Sequence, residues 1–215
     1  KIYNLNINFE KNFKSYNFHT LYKDLLNFCT VDLSAFYFDI RKDTLYCDPL
    51  NSIKRKSTIV FLNVLVEILL KWFAPILSFT TEEIYSLLKI KTNESIHLEK
   101  FSTIPSEWRN KNLNSKWTEL LKIRDKCNSS IEIKRASKEI GSSLEANLEI
   151  TLSDELIKFT EGVDFSELCI TSGAKIEKMQ NNESEGIIVK TNKAEGKKCP
   201  VCWKISKKPC ERHFS

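Results

Sequence analysis

The chain has 215 residues, of which 41% are hydrophobic and 28% are charged, and its formal net charge is +5. This composition is typical of a soluble globular protein with one large domain or two small ones. The most apolar run, residues 59–70, is too short and too interrupted by polar residues to span a membrane, and no secretory signal opens the sequence, so we expect a cytoplasmic protein with no membrane partner.

Helical spacing of apolar residues dominates the first part of the chain. It predicts helices over residues 16–29, 33–42 and 51–73. The third helix carries an apolar stripe so wide that we expect it to be buried on several sides. Pro75 is expected to end or kink this helix, because proline lacks the N–H group that a helix interior needs.

Two further helices are predicted after the proline. A capping-box pattern at residues 80–83 predicts a short helix that ends near residue 88. A long helix is predicted over residues 114–138, with apolar residues along one side. The other side of this helix is basic and carries Lys116, Lys122, Lys126, Lys134, Arg135 and Lys138.

Beyond Gly141 the period changes from helical to alternating. Apolar and polar residues alternate over residues 148–152, which predicts a strand. A helix is then expected over residues 154–160. Three more strands are expected over residues 168–171, 175–179 and 186–190.

Four residues of the types that bind zinc lie in the last part of the chain. They form two pairs, each with a gap of two residues: Cys199 with Cys202, and Cys210 with His213. Such a gap lets a tight turn point both side chains of a pair at one ion, and four protein ligands leave no position open for a catalytic water. The pattern predicts one structural Zn²⁺ in a zinc knuckle. The alternative is a frayed tail with reduced thiols and a surface imidazole.

These patterns together predict a mainly α fold in three parts. They are a helical bundle over residues 1–141, a small α/β appendage over residues 142–195 and a zinc-binding tail over residues 196–215. No internal repeat or low-complexity segment interrupts this order.

Charge is distributed unevenly along the chain. Residues 196–215 hold six basic groups and one acidic group, residues 153–195 hold five and nine, and residues 1–152 hold twenty-two and eighteen. Two basic ends with an acidic middle suggest that the helical part and the tail contact a polyanion. An ordinary solvated face is the alternative explanation for any single basic cluster.

Specific strings of residues carry a resemblance to a known family. The string Ala-Pro-Ile-Leu-Ser-Phe at residues 74–79 resembles the anticodon-binding helical bundle of class I aminoacyl-tRNA synthetases. Three later strings resemble, in the same order, the C-terminal part of bacterial isoleucyl-tRNA synthetases. They are Ile-Gly-Ser-Ser-Leu-Glu-Ala at 140–146, Thr-Ser-Gly-Ala at 171–174 and Ala-Glu-Gly-Lys-Lys-Cys-Pro-Val-Cys-Trp at 194–203.

The resemblance extends from about residue 17 to residue 212, with one departure. The family pattern ends in a second Cys-x2-Cys pair after a longer spacer, whereas here the spacer has seven residues and His213 stands at the last ligand position. Imidazole is an acceptable zinc ligand in place of a thiolate.

The resemblance implies that the full enzyme joins isoleucine to tRNA(Ile) through an aminoacyl-adenylate made from ATP. It places the catalytic and editing domains outside this region, so the chain, which begins with Lys1, is expected to be part of a longer polypeptide. ATP is expected to be used by the full-length enzyme and not bound here, because no Gly-x-Gly-x-x-Gly or P-loop pattern is present. No catalytic residue is predicted. The string at residues 204–208 is similar to the family's catalytic Lys-Met-Ser-Lys-Ser loop. We reject this match, because the string lies between the predicted zinc ligands and does not follow a nucleotide-binding fold.

The predicted partners are the anticodon stem-loop of tRNA(Ile) and the catalytic domain of the same polypeptide, in a monomer. Basic side chains would neutralise phosphates, and Trp203 would either stack on a base or pack over the knuckle. The candidate tRNA contacts are Lys54, Arg55, Lys56, Arg124, Lys134, Arg135, Lys138, Trp203, Lys204 and Lys207.

Two alternative functions remain open from the sequence. One is a zinc-stapled module whose basic face docks an acidic protein, and the other is the equivalent region of a valine or leucine class I synthetase. A self-contained enzyme is the weakest interpretation, because no nucleophile, general-base pair or open metal site assembles from these residues.

Overall fold

The computed structural model describes residues 1–88, 91–179, 186–210 and 212–213. It divides into two compact units, Lys1–Asn110 and Lys111–Ser215. Among the described residues, no helix combines the length and the apolar character that crossing a bilayer requires.

The first unit is helical. Its helices are α1 (Ile2–Lys14), α2 (Phe18–Asn27), a π-helical segment (Phe28–Phe38), α3 (Asp39–Cys47), α4 (Ile53–Phe73) and α5 (Ser78–Leu87), with 3-10 turns at Ile96–Leu98 and Ser106–Trp108. The helices predicted over residues 16–29 and 51–73 are confirmed within about two residues at each end. The helix predicted over residues 33–42 lies inside a longer helical run from Phe28 to Cys47.

Helix α1 was not predicted, although it supplies part of the core. Phe9 is buried against Trp72 of α4, with ring centroids 5.8 Å apart. The Trp72 indole N–H donates a hydrogen bond of 3.1 Å to the side-chain oxygen of Asn6. The signal was present in the helical spacing of Leu5, Phe9 and Phe13, which precede the first predicted helix.

The predicted capping box at residues 80–83 is wrong. Helix α5 already begins at Ser78, and no side chain caps its N-terminus. The Thr81 hydroxyl donates instead to the Leu77 carbonyl at 3.0 Å, as it can from inside the first turn. The Glu82 carboxylate accepts a hydrogen bond of 3.0 Å from the backbone N–H of Ile96, so this acid joins α5 to a later turn.

The second unit combines one long helix with a small sheet. Strand β1 (Ala146–Leu152) is central, parallel to β2 (Gly173–Lys178) and antiparallel to β3 (Ile187–Lys193). Its residues alternate between buried and more exposed, as expected for a strand covered on one face. The remaining elements are α6 (Lys111–Ala136), α7 (Asp154–Ile157), α8 (Phe165–Leu168), β4 (Lys197–Lys198) and β5 (Ile205–Ser206), with a 3-10 turn at Ser143–Glu145.

Helix α6 lies against the sheet, and this contact explains where the chain divides. Leu120, Ile123, Cys127 and Ile131 are buried at helical spacing, and α6 contacts β1 and β3. The structure therefore groups α6 with the sheet, although the sequence placed it in the bundle. The three-part division at residues 141 and 195 stays a prediction.

Two of the other strands predicted in this region are confirmed, with shifted ends, as β2 and β3. The strand predicted over residues 168–171 is wrong, because α8 ends there in a turn. Ile170 has a φ of 55°, which is incompatible with extended backbone. An apolar run as short as this one does not distinguish a strand from a short helix.

Candidate metal centre and nucleic-acid interface

A short hairpin positions the first pair of predicted metal ligands. Strands β4 and β5 pair antiparallel, with Lys198 opposite Ile205. In the turn between them, the backbone N–H of Cys199 donates to the Lys204 carbonyl at 2.8 Å, and the N–H of Trp203 donates to the Cys199 carbonyl at 3.0 Å. These bonds fold the turn tightly and bring the Cys199 and Cys202 thiols to the same side.

The second pair completes a compact cluster. The Nδ1 atom of His213 lies 3.4 Å from the Sγ atoms of both Cys199 and Cys210, and the Sγ atoms of Cys202 and Cys210 are 3.8 Å apart. All four donor atoms lie within 4.8 Å of one another. Tetrahedral Zn²⁺ with Zn–S of about 2.3 Å and Zn–N of about 2.0 Å places neighbouring donors about 3.5–3.8 Å apart. The four predicted ligands therefore form a group that can hold a metal ion.

The two thiols of the first pair have pKa values shifted in opposite directions. Burial acts to raise the pKa of Cys199, but backbone N–H groups of Cys202 and Val201 lower it to about 6. Burial raises the pKa of Cys202 to about 11. Because the thiolate is the form that binds metals, a bound ion would hold both thiols deprotonated, so we expect binding to release protons.

Gly196 allows the chain to close the hairpin. Its φ is +127°, and a Cβ atom there would lie 2.2 Å from the carbonyl carbon and oxygen of Ser206. No side chain fits at that distance, because the obstacle is backbone. The string at residues 194–203 thus contains a glycine that the hairpin requires.

We expect Gly196→Ala to weaken zinc binding at least tenfold, because the clash opens the hairpin that carries Cys199 and Cys202. Gly162→Ala is the matched control: Gly162 has a φ of +74° but no atom within 4 Å of the added Cβ, so it bears only conformational strain of roughly 1–2 kcal/mol. Zinc affinity is measured by competition with a chromophoric chelator. Equal zinc affinity in the two variants would contradict the requirement for glycine at position 196.

The Trp203 ring is exposed beside the cluster. It is 58% accessible, and the residue has a φ of 63°, a conformation that costs a tryptophan energy. The Lys198 Nζ lies 5.1 Å from the ring centroid, within the range of a cation–π contact. More than half of the Trp203 surface is therefore open to solvent.

Lysines surround the hairpin, where a groove of about 930 Å³ opens next to the ligands. Lys204 donates a hydrogen bond of 3.0 Å to the Ser166 hydroxyl, so it is tied to α8. Lys207 forms an exposed ion pair of 2.6 Å with Glu195. The groove is also lined by Lys197, Lys198 and Lys208, which are not among the predicted tRNA contacts. In the sequence, only their position in the basic segment 196–215 marked these three lysines as candidates for RNA contact.

The basic candidates on and after α6 are mostly engaged within the protein. The Arg124 guanidinium donates to the Leu168 carbonyl at 2.9 Å. Lys134 pairs with Glu139 at 2.8 Å, and Arg135 pairs with Glu132 at 2.7 Å.

Lys138 differs from these candidates in its position. It follows the end of α6 with a φ of 59° and is exposed, although the sequence predicted it inside the helix.

The remaining basic candidates lie in the first turn of α4, in the first unit. The Ser52 side chain caps this helix by accepting from the Arg55 N–H at 3.3 Å. The Arg55 guanidinium donates to the Asp48 carbonyl at 2.9 Å, while Lys54 and Lys56 are exposed. Arg55 therefore supports the loop before α4.

Comparisons with known proteins point to one class. The family model described as the anticodon-binding domain of tRNA ligase matches residues 1–151. An isoleucine–tRNA ligase of Pelagibacter ubique is 63% identical over 213 residues, which is 99% of this chain and 23% of that protein. Isoleucine–tRNA ligases of Agrobacterium fabrum and Rhodopseudomonas palustris are 39% and 37% identical over 90% of this chain, and 21% and 20% of their own lengths. The chain thus spans between a fifth and a quarter of these relatives.

Proposed function

Because this chain belongs to the family of anticodon-binding domains of tRNA ligases, we propose that it recognises the anticodon stem-loop of tRNA(Ile) as part of an isoleucine–tRNA ligase. The observation that carries the proposal is the family match over residues 1–151, together with the three relatives above, each of which is named an isoleucine–tRNA ligase. The whole enzyme would attach isoleucine to tRNA with ATP, at a catalytic site in another part of the polypeptide.

In this proposal the second unit carries a structural zinc knuckle. Cys199, Cys202, Cys210 and His213 would hold one Zn²⁺ through three sulfurs and one nitrogen, a set that fills a tetrahedron. The ion would act as a cross-link between the two ends of the tail. Four protein ligands support a structural role and leave no place for a reacting water.

The described residues would act on RNA in two ways. Exposed lysines at positions 54, 56, 138 and 198 would neutralise phosphates, and the Trp203 ring would stack on an unpaired base of the loop. Arg55 donates to the Asp48 carbonyl before α4, and Arg124 donates to the Leu168 carbonyl at the end of α8. These two arginines would therefore support neighbouring segments as well as add positive charge.

Binding of the chain to RNA hairpins tests this function. We expect tighter binding to the anticodon stem-loop of tRNA(Ile) than to a hairpin with altered anticodon bases, at physiological salt. Affinity should fall as salt rises, with a logarithmic slope of about −0.7 to −0.9 per phosphate contacted. Zinc chelation should remove the discrimination.

Equal binding to both hairpins would reject anticodon recognition by this chain. It would favour the alternative of a basic module that docks an acidic protein, since such a module has no reason to distinguish loop bases. The catalytic domain of the same polypeptide, a monomeric state and a cytoplasmic location remain expectations of the same proposal.

A further inference from the structure

The hairpin that carries Trp203 is too small to hold its own orientation. Strands β4 and β5 have two residues each, and isolated hairpins of even greater length are marginal in water. The ligand cluster joins the turn of the hairpin to the end of the tail. Something else must fix the hairpin relative to the sheet.

Ser172 supplies that connection. Its hydroxyl accepts a hydrogen bond of 2.6 Å from the backbone N–H of Ile205 in β5. The same hydroxyl donates to the carbonyl of Leu144, in the turn before β1. Its own backbone N–H donates to the Ala146 carbonyl at 3.0 Å. One side chain thus joins three segments that lie 28 and 33 residues apart in the sequence.

The surroundings leave the Ser172 hydroxyl little freedom. Thr171 is fully buried, and its hydroxyl donates to the Gly173 carbonyl at 3.2 Å. A Cβ atom on Gly173 would lie 2.7 Å from the side-chain oxygen of Asn147, so the backbone at Gly173 passes close to β1. The position of Ser172 between these two residues is therefore set by packing on the central strand.

A second contact also fixes the hairpin to the rest of the second unit. The Lys204 ammonium donates to the Ser166 hydroxyl at 3.0 Å, and Asp164 caps α8 by accepting from the N–H of Ser166 at 2.8 Å. Lys204 and Ile205 are neighbours, and Trp203 precedes them directly. The chain that follows the exposed ring is consequently held at two successive residues.

We propose that Ser172 is a positioning residue for RNA recognition, because its hydroxyl holds β5 against the sheet and thereby sets the orientation of Trp203 and the lysines of the hairpin. This inference rests on the proposed function. In this proposal the metal-ligand cluster stabilises the fold of the tail, and Ser172 fixes the orientation of the folded tail relative to the sheet.

The test compares the Ser172→Ala chain with the wild-type chain. We expect Ser172→Ala to bind one zinc per chain, because the four ligands are untouched, and to melt slightly below the wild type, because two part-buried hydrogen bonds are lost. The Ile205 amide should exchange its hydrogen faster, as measured by NMR. Affinity for the anticodon stem-loop of tRNA(Ile) should fall roughly fivefold, the equivalent of one lost hydrogen bond.

Ser142→Ala is the matched control. Ser142 is exposed just before the 3-10 turn at Ser143–Glu145, and its side chain does not cap that turn. It should match the wild type in zinc content, amide exchange and RNA affinity.

Three outcomes would overturn the role of Ser172. They are unchanged RNA affinity in Ser172→Ala, an unchanged exchange rate at Ile205, and loss of zinc in that variant, which would make Ser172 a folding residue. Failure of the wild-type chain to bind the stem-loop is a different result, because it would reject the proposed function itself.

Discussion

Replacement of Cys202 by alanine is expected to abolish stable zinc binding and to unfold the tail, while the first unit stays folded. Among the described residues from 196 onward, only Cys199 and Cys202 are buried. The described part of the tail therefore has no apolar core, so we expect metal coordination to stabilise it. Structural zinc contributes about 10–16 kcal/mol of apparent binding energy in small zinc-binding peptides, and that energy drives their folding.

Three measurements on purified Cys202→Ala follow from this expectation. Elemental analysis should find about one zinc per wild-type chain and nearly none in the variant. Circular dichroism should show the same helical signal in both, because the helices lie outside the tail. The amides of β4 and β5 should lose protection from hydrogen exchange.

The affinity of Cys202→Ala for the anticodon stem-loop should also fall by more than tenfold, because Trp203 and Lys198 lose their common support. Cys29→Ala is the control, because Cys29 is a half-buried thiol in the first unit. It should retain zinc and RNA binding. Zinc retained at the wild-type level in Cys202→Ala would disprove the four-ligand site.

Trp203→Ala is expected to weaken binding to the anticodon stem-loop by roughly 5- to 150-fold, the range that corresponds to a stacking energy of about 1–3 kcal/mol per base. The ring is 58% exposed, so its removal leaves no large cavity and zinc content should not change. The slope of affinity against salt should also be unchanged, since the substitution removes no positive charge.

Trp203→Phe should keep most of the affinity, because phenylalanine retains a face on which a base can stack. Trp108→Ala is a control for the loss of a surface tryptophan, since Trp108 is 44% exposed in the first unit. It should bind RNA as the wild type does. If Trp203→Ala instead loses zinc with unchanged RNA affinity, the ring packs on the knuckle and reads no base.

Local patterns in the sequence predicted much of the site. The two-residue gaps in Cys199–Cys202 and Cys210–His213 depend only on turn geometry over a few residues, and the structure brings the four donor atoms together. Helices α2 and α4 followed from periodicity for the same reason, because the period of a helix is a property of neighbouring residues.

Competing local signals explain the errors. The capping box at residues 80–83 had the right residue types, but α5 begins three residues earlier, with Leu77 in the N-cap position. Glu82 instead accepts a hydrogen bond from the backbone N–H of Ile96. The apolar run near Ile170 predicted a strand, but this segment follows directly on the short helix α8 and turns there. Propensity over so few residues is weaker than packing.

The sequence alone determined the four candidate ligands, the main helices, the basic tail and the family resemblance, because each of these depends on residue identity and short spacing. Only the tertiary structure decided that α6 covers the sheet, that Arg124 is tied to Leu168, and that Ser172 joins Leu144 to Ile205. Such contacts join segments far apart along the chain. They depend on how the elements pack in space, which no local pattern of residues records.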